Sequence, residues 1–231
     1  MEISIKDLMR QARESLSGRW GLAIGTFFVY MLIFGGISGL ETATDVGGFK
    51  IALNIIPLFI YGAFYLGISI FCLAIARNEE AEFGMLFSGF KNYGKTLGLF
   101  LLMMLLIVIG TLLLIVPGII LALMFGLAFF ILADNPNIGV VDALKKSKAM
   151  MDGYKGKLFL LTLCFLGLIL LAFLILVGIA ILLGTFLSPM QSVFVIAVFL
   201  FAFSLWLTPL MYTTYAKFYD AVKANYVEAG R

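Results

Sequence analysis

The sequence predicts an all-α fold, a polytopic transmembrane helix bundle, and three observations carry that prediction. Of 231 residues 63% are apolar and only 13% charged, against about 45–50% and about 25% in ordinary soluble domains. Five stretches, at 20–40, 51–76, 96–133, 158–190 and 191–216, contain no charged side chain. A helix of about 20 such residues crosses a hydrocarbon layer about 30 Å thick with every backbone group bonded internally. Lastly, 15 of the 16 basic residues fall into four clusters: Lys6, Arg10, Arg13 and Arg19; Arg77, Lys91 and Lys95; Lys145, Lys146, Lys148, Lys155 and Lys157; Lys217, Lys223 and Arg231. The positive-inside rule then puts both termini and all four clusters in the cytoplasm, so about six membrane segments form three hairpins, at about 20–76, 96–133 and 158–216.

A short charged segment precedes each hairpin. At 4–17, Ile5, Leu8, Met9, Ala12 and Leu16 share one helical face and Lys6, Arg10, Arg13 and Glu14 the other, an interfacial amphipathic pattern opened by Ser4 and Asp7. No secretory signal is read here, because the charged segment is long and no small-residue cleavage site follows, so the first span is expected to be retained. The first hairpin turns outside at 41–50. At 78–90, Asn78 with Glu79, Glu80 and Glu82 predicts a helix start, and Phe83, Leu86, Phe87 and Phe90 an apolar face.

The second hairpin has to begin and end inside within 38 residues. Its expected turn is Val116-Pro117-Gly118, which leaves arms of about 28 and 22 Å at about 1.5 Å per residue and predicts a pinched, partly re-entrant pair. A third amphipathic segment at 138–152 sets Val141, Leu144 and Met151 opposite its lysines. The last hairpin turns at 185–189. The whole of 1–231 reads as one integral membrane domain.

At an offset of 135 the first and third segments match: Asp7 with Asp142, Arg10 with Lys145, Arg13 with Lys148, Leu16 with Met151, Gly18 with Gly153 and Gly21 with Gly156. This is either an internal repeat of parallel units or convergence on the same membrane-interface chemistry.

Residues 89–96 fit the phosphate-loop pattern G-x-x-x-x-G-K-[ST], yet no strand precedes them and Thr96 leads into a span. Neither nucleotide nor nucleic-acid binding is expected. The alternative is an anchor, with Tyr93 at headgroup level and Lys91 and Lys95 meeting lipid phosphates. G-x-x-x-G occurs at Gly21–Gly25, Gly35–Gly39 and Gly94–Gly98, where close packing inside this protein is expected ahead of dimerisation. On the second span Asn54, Tyr61, Tyr65 and Cys72 form a polar stripe that, with Tyr30, Thr111 and Trp206, either lines a solute path or bonds neighbouring helices.

No acidic or basic side chain falls inside an apolar span, which disfavours ion-coupled transport. There is no histidine, no G-x-S-x-G and no intramembrane carboxylate pair, and both cysteines, Cys72 and Cys164, lie in apolar stretches. No catalytic residue, metal ligand, cofactor site or disulfide is therefore read. Asp134, beside Asn135 and Asn137, reads as a helix cap.

Four stretches resemble an uncharacterised family of prokaryotic integral membrane proteins catalogued as domain of unknown function 975: Leu113-Leu-Ile-Val-Pro-Gly-Ile-Ile120, Ile131-Leu-Ala-Asp-Asn-Pro136, residues 143–159 and Tyr212-Thr-Thr-Tyr-Ala-Lys-Phe-Tyr219. The resemblance implies a bacterial or archaeal cytoplasmic membrane and transfers no catalytic residues. The expected function is non-enzymatic: an accessory, immunity-type or envelope-stress component. Its basic segments, with Lys91, Lys95, Lys145, Lys146, Lys148, Lys155 and Lys157, engage anionic membrane lipids, a membrane-protein partner or a second copy of the chain. A carrier or pore for a neutral or apolar solute is the alternative, and a lipid-modifying enzyme the third reading.

Overall fold

The computed structural model describes residues 3–44, 46–183, 188–228 and 230. Among them the chain is helical throughout: α1 (Ile5–Leu16), α2 (Trp20–Ala43), α3 (Gly47–Ala76), a 3-10 helix (Phe83–Phe90), α4 (Tyr93–Leu113), α5 (Ile115–Phe125), α6 (Ala128–Asp134), α7 (Val140–Met150), α8 (Lys155–Leu183) and α9 (Pro189–Glu228). Six stretches are long and apolar enough to cross a membrane: Trp20–Ala43, Lys50–Ala76, Tyr93–Leu113, Ile115–Asp134, Lys155–Ile181 and Met190–Glu228. The three hairpins are thus present, each preceded by a short helix. The expected outer turns at Asp45 and at 185–187 lie outside the described residues.

Three local expectations are corrected. Asn78 does not start a helix; it ends α3. Its φ is +59°, a left-handed conformation that asparagine tolerates better than most residues. Its N–H bonds the Ile75 carbonyl at 3.0 Å, and the Glu79 N–H bonds that of Ala74 at 2.8 Å. That pair of reverse bonds satisfies the helix's last carbonyls. The acidic residues that follow are outside any helix, Glu82 being extended, and the chain re-enters helical geometry at Phe83.

The second hairpin turns at Leu114, which is extended (φ −162°, ψ 145°), instead of at Pro117 and Gly118. Proline is accommodated in the first turn of a helix, where its missing N–H has no partner to lose, so Pro117 belongs to α5 and the break comes three residues earlier. Gly118 makes the tight turn possible from within α5. A Cβ there would lie 2.9 Å from the Thr111 Cα, and one at Gly110 would lie 3.2 Å from the Gly118 Cα. The arms are 21 and 20 residues, about 32 and 30 Å at about 1.5 Å per residue, so each has full spanning length. The second arm bends at Gly126 and Leu127, between α5 and α6.

Of the six G-x-x-x-G glycines only Gly98 packs, where an added Cβ would meet the Val140 side chain at 3.5 Å. At Gly21, Gly25, Gly35, Gly39 and Gly94 an added Cβ would meet nothing within 4 Å. Close approach happens where the 3-10 helix lies across α3: a Cβ at Gly67 would overlap the Leu86 carbonyl, and one at Gly89 the Ala63 carbonyl. Leu86 is buried in that contact.

The offset of 135 seen in the sequence extends to the folded chain. Helices α1 and α7 bury equivalent positions: Leu8 and Ala143, Ala12 and Ser147, Ser15 and Met150, Leu16 and Met151. A glycine of positive φ follows each, Gly18 at 78° and Gly153 at 81°. The next N–H in each case, of Arg19 or Tyr154, turns back to the carbonyl of Leu16 or Met151.

Candidate functional site at the basic end of the bundle

The second arms of the three hairpins converge where their helices leave the apolar region. Arg77 follows α3, Asp134 is the last residue of α6, and Tyr219, Asp220 and Lys223 lie on the part of α9 beyond its apolar stretch. Helix α9 has 40 residues, about 60 Å, or about twice the hydrocarbon thickness, so it carries these groups past the other spans.

Arg77 joins two carboxylates. Its Nη1 donates to Asp134 Oδ1 at 2.7 Å, its Nη2 to Asp220 Oδ1 at 2.6 Å, and its Nε to both Asp220 oxygens at 3.2 Å. On the other Asp134 oxygen the Tyr219 hydroxyl donates at 2.9 Å and the Lys223 ammonium also bonds. Asp134 is 16% exposed and Arg77 27%. The Asp220 carboxylate, against the opposing cost of burial and with Asp134 in support, raises the Arg77 guanidinium above its already high ordinary value.

This network corrects the reading of Asp134 as a cap. The N-cap of α7 is Gly139, whereas Asp134 sits at the C-terminus of α6. The negative end of the helix dipole disfavours a carboxylate there. Two cations and a phenol offset that cost, as a partly buried carboxylate requires. Each charge lies next to the end of an apolar stretch, which is a sequence signal, but which cation meets which acid is not.

The expected lipid-facing cation Lys95 bonds protein, as does Arg19 of the first basic cluster. Lys95 Nζ bonds the Pro136 carbonyl at 2.9 Å, and Arg19 Nη1 bonds the Glu79 carbonyl beyond the end of α3 at 2.7 Å. The side chains of Lys91, Lys145, Lys146, Lys148 and Lys157 form no hydrogen bond or ion pair among the described residues. Lys145, Lys148 and Lys155 come together with Tyr226 and Asp152 around a groove of about 400 Å³ formed by α7, the start of α8 and the end of α9. Lys155 reaches Asp152 at 3.6 Å.

The polar stripe of α3 does not form one path, because the helix meets different neighbours along its length. Asn54 bonds Glu41 Oε1 at 3.0 Å, and Tyr61 stacks on Phe34 at 4.3 Å. Tyr65 contacts Phe129 and Tyr212, and Cys72 is fully buried. Tyr30 joins the Phe34 cluster, Trp206 stacks on Trp20, and Thr111 bonds the Ile107 carbonyl of its own helix. Tyr65 borders a cavity, in company with Thr162 and Tyr215, which the sequence did not single out. No group of three or more His, Cys, Asp or Glu among the described residues is placed to hold a metal ion.

The family profile described as "Protein of unknown function (DUF975)" matches residues 1–129 and 105–226. No curated protein and no solved structure matches the chain. With the six candidate spans and all-helical architecture already in place, the chain belongs to the DUF975 family of proteins of unknown function.

Proposed function

We propose that this protein is a non-enzymatic component of a prokaryotic cytoplasmic membrane, with both termini inside, that engages the anionic phosphates of inner-leaflet lipids. The observation that carries the reading is the groove where Lys145 and Lys148, both without a side-chain partner among the described residues, face a common space with Tyr226 and the Lys155–Asp152 pair. Near an anionic surface each lysine contributes about 1 kcal/mol, screened within a Debye length of about 10 Å at 0.1 M salt. The cations that support this reading are those not already used by the fold, so Lys91 belongs with them and Lys95 does not.

Changing Lys145 and Lys148 together to Gln is expected to reduce the preference for phosphatidylglycerol over phosphatidylcholine about tenfold, equivalent to about 1.4 kcal/mol. Native mass spectrometry on protein in mixed micelles reads this directly, and raised salt should reproduce it. An unchanged preference would remove the reading's support. For orientation, a cysteine replacing Lys146, in a background lacking Cys72 and Cys164, should resist impermeant maleimide in intact cells and label after lysis. Labelling from outside would invert the topology. A second reading, a carrier for an apolar solute, draws on the cavity beside Tyr65.

A further inference from the structure

We propose that the cavity bordered by Tyr65, Thr162 and Tyr215 binds one acyl chain of a glycerolipid, an ester oxygen accepting from the Tyr65 hydroxyl and the chain running toward Ile119. The cavity shares no lining residue with the lysine groove, so it stands apart from that reading. At about 400 Å³ it falls within the range of about 300–1,000 Å³ typical of small-molecule sites.

Its position selects the occupant. The walls are α3, α5, α6, α8 and α9, all candidate spans or parts of them. Ile119 and Phe159, on α5 and α8, are exposed at its edge, so it opens sideways to the medium around the spans. In a bilayer that medium is hydrocarbon, which delivers lipids and withholds water-soluble solutes.

The hydroxyls select the chemistry within that class. Thr162 Oγ1 donates to the Leu158 carbonyl at 2.9 Å and lies 3.2 Å from the Tyr215 hydroxyl, so these two are already paired, whereas the Tyr65 hydroxyl has no hydrogen bond among the described residues. Elsewhere in the spans Thr26, Ser69, Thr111 and Thr214 bond a carbonyl of their own helix and ask for nothing more. A phenol facing hydrocarbon needs an acceptor, which an ester carbonyl supplies and an alkane does not. Depth agrees: Thr162 is two helical turns beyond Lys155, and Tyr215 is two residues before Lys217, so the hydroxyl end lies toward the headgroups. Ile119, far along the arm from Asp134, marks the deep end.

The test uses the full chain in nanodiscs with a phosphatidylcholine bearing a diazirine in its acyl chain, a neutral headgroup that the lysines do not select. Adducts are expected to concentrate at 119–130 and 158–165. Ala122→Trp, at an exposed position on the cavity wall, should reduce them at least tenfold. Tyr65→Phe combined with Thr162→Val keeps the shape, removes two hydroxyls and should lower labelling several-fold; it also carries the test if Ala122→Trp fails to fold. A diazirine-bearing alkane should not concentrate at these segments. Adducts spread evenly over the exposed faces of α4, α8 and α9, or insensitive to both variants, would overturn the site. Equal enrichment of the alkane would overturn the ester assignment.

Discussion

Replacing Gly89 by alanine is expected to remove about 3 kcal/mol or more of stability and to sharply reduce the yield of folded protein from detergent extracts. The new methyl would overlap the Ala63 carbonyl, which belongs to the backbone of α3 and cannot rotate away. Overpacking costs about 1–3 kcal/mol where side chains can yield, and here neither partner is a side chain. Gly67→Ala should behave alike, since its methyl would overlap the Leu86 carbonyl from the other side of the same contact. Gly167→Ala supplies the control: it sits in mid-α8 with open space around it and should be neutral or slightly stabilising. Thermal unfolding of the three variants in one detergent decides the matter. If Gly89→Ala unfolded at the parent temperature, the 3-10 helix would not lie against α3 as described.

Removal of Arg77 should give the second large effect, because it strands the Asp220 carboxylate and takes one of three partners from Asp134. Asp134 would keep Lys223 and Tyr219, whereas the bidentate partner of Asp220 would be gone. Breaking a buried pair costs about 3–5 kcal/mol, and with Arg77 27% exposed solvent reduces this to about 2–3 kcal/mol for Arg77→Met. Arg77→Lys should recover little of it, since a point charge cannot span both acids as the planar guanidinium does. Combining Arg77→Met with Asp220→Asn should return much of the loss by removing the stranded charge. Thermal unfolding across this cycle measures the coupling. Simple additivity of the two single changes would show that the two groups do not interact.

Sequence alone determined the membrane-spanning, all-helical class, the six spans and their pairing, since these follow from runs of apolar residues against a fixed hydrocarbon thickness and from where the lysines and arginines fall. It also carried the relation between the α1 and α7 segments, because an amphipathic helix repeats its buried face at a fixed period. Tertiary structure alone decided the rest. Asn78 could start or end a helix, and the reverse bonds to Ile75 and Ala74 chose the end. Gly-x-x-x-Gly spacing shows where backbones can approach, yet the approach occurred at Gly67 and Gly89, because packing depends on what lies opposite. Asp134 read as a helix cap, and Arg77 and Lys223 as members of two basic clusters. Their meeting depends on how three hairpins lean together, as does the union of Tyr65, Thr162 and Tyr215 around one cavity. Local periodicity records the face a residue occupies on its own helix, whereas partners far along the chain are set by the angles at which whole helices cross.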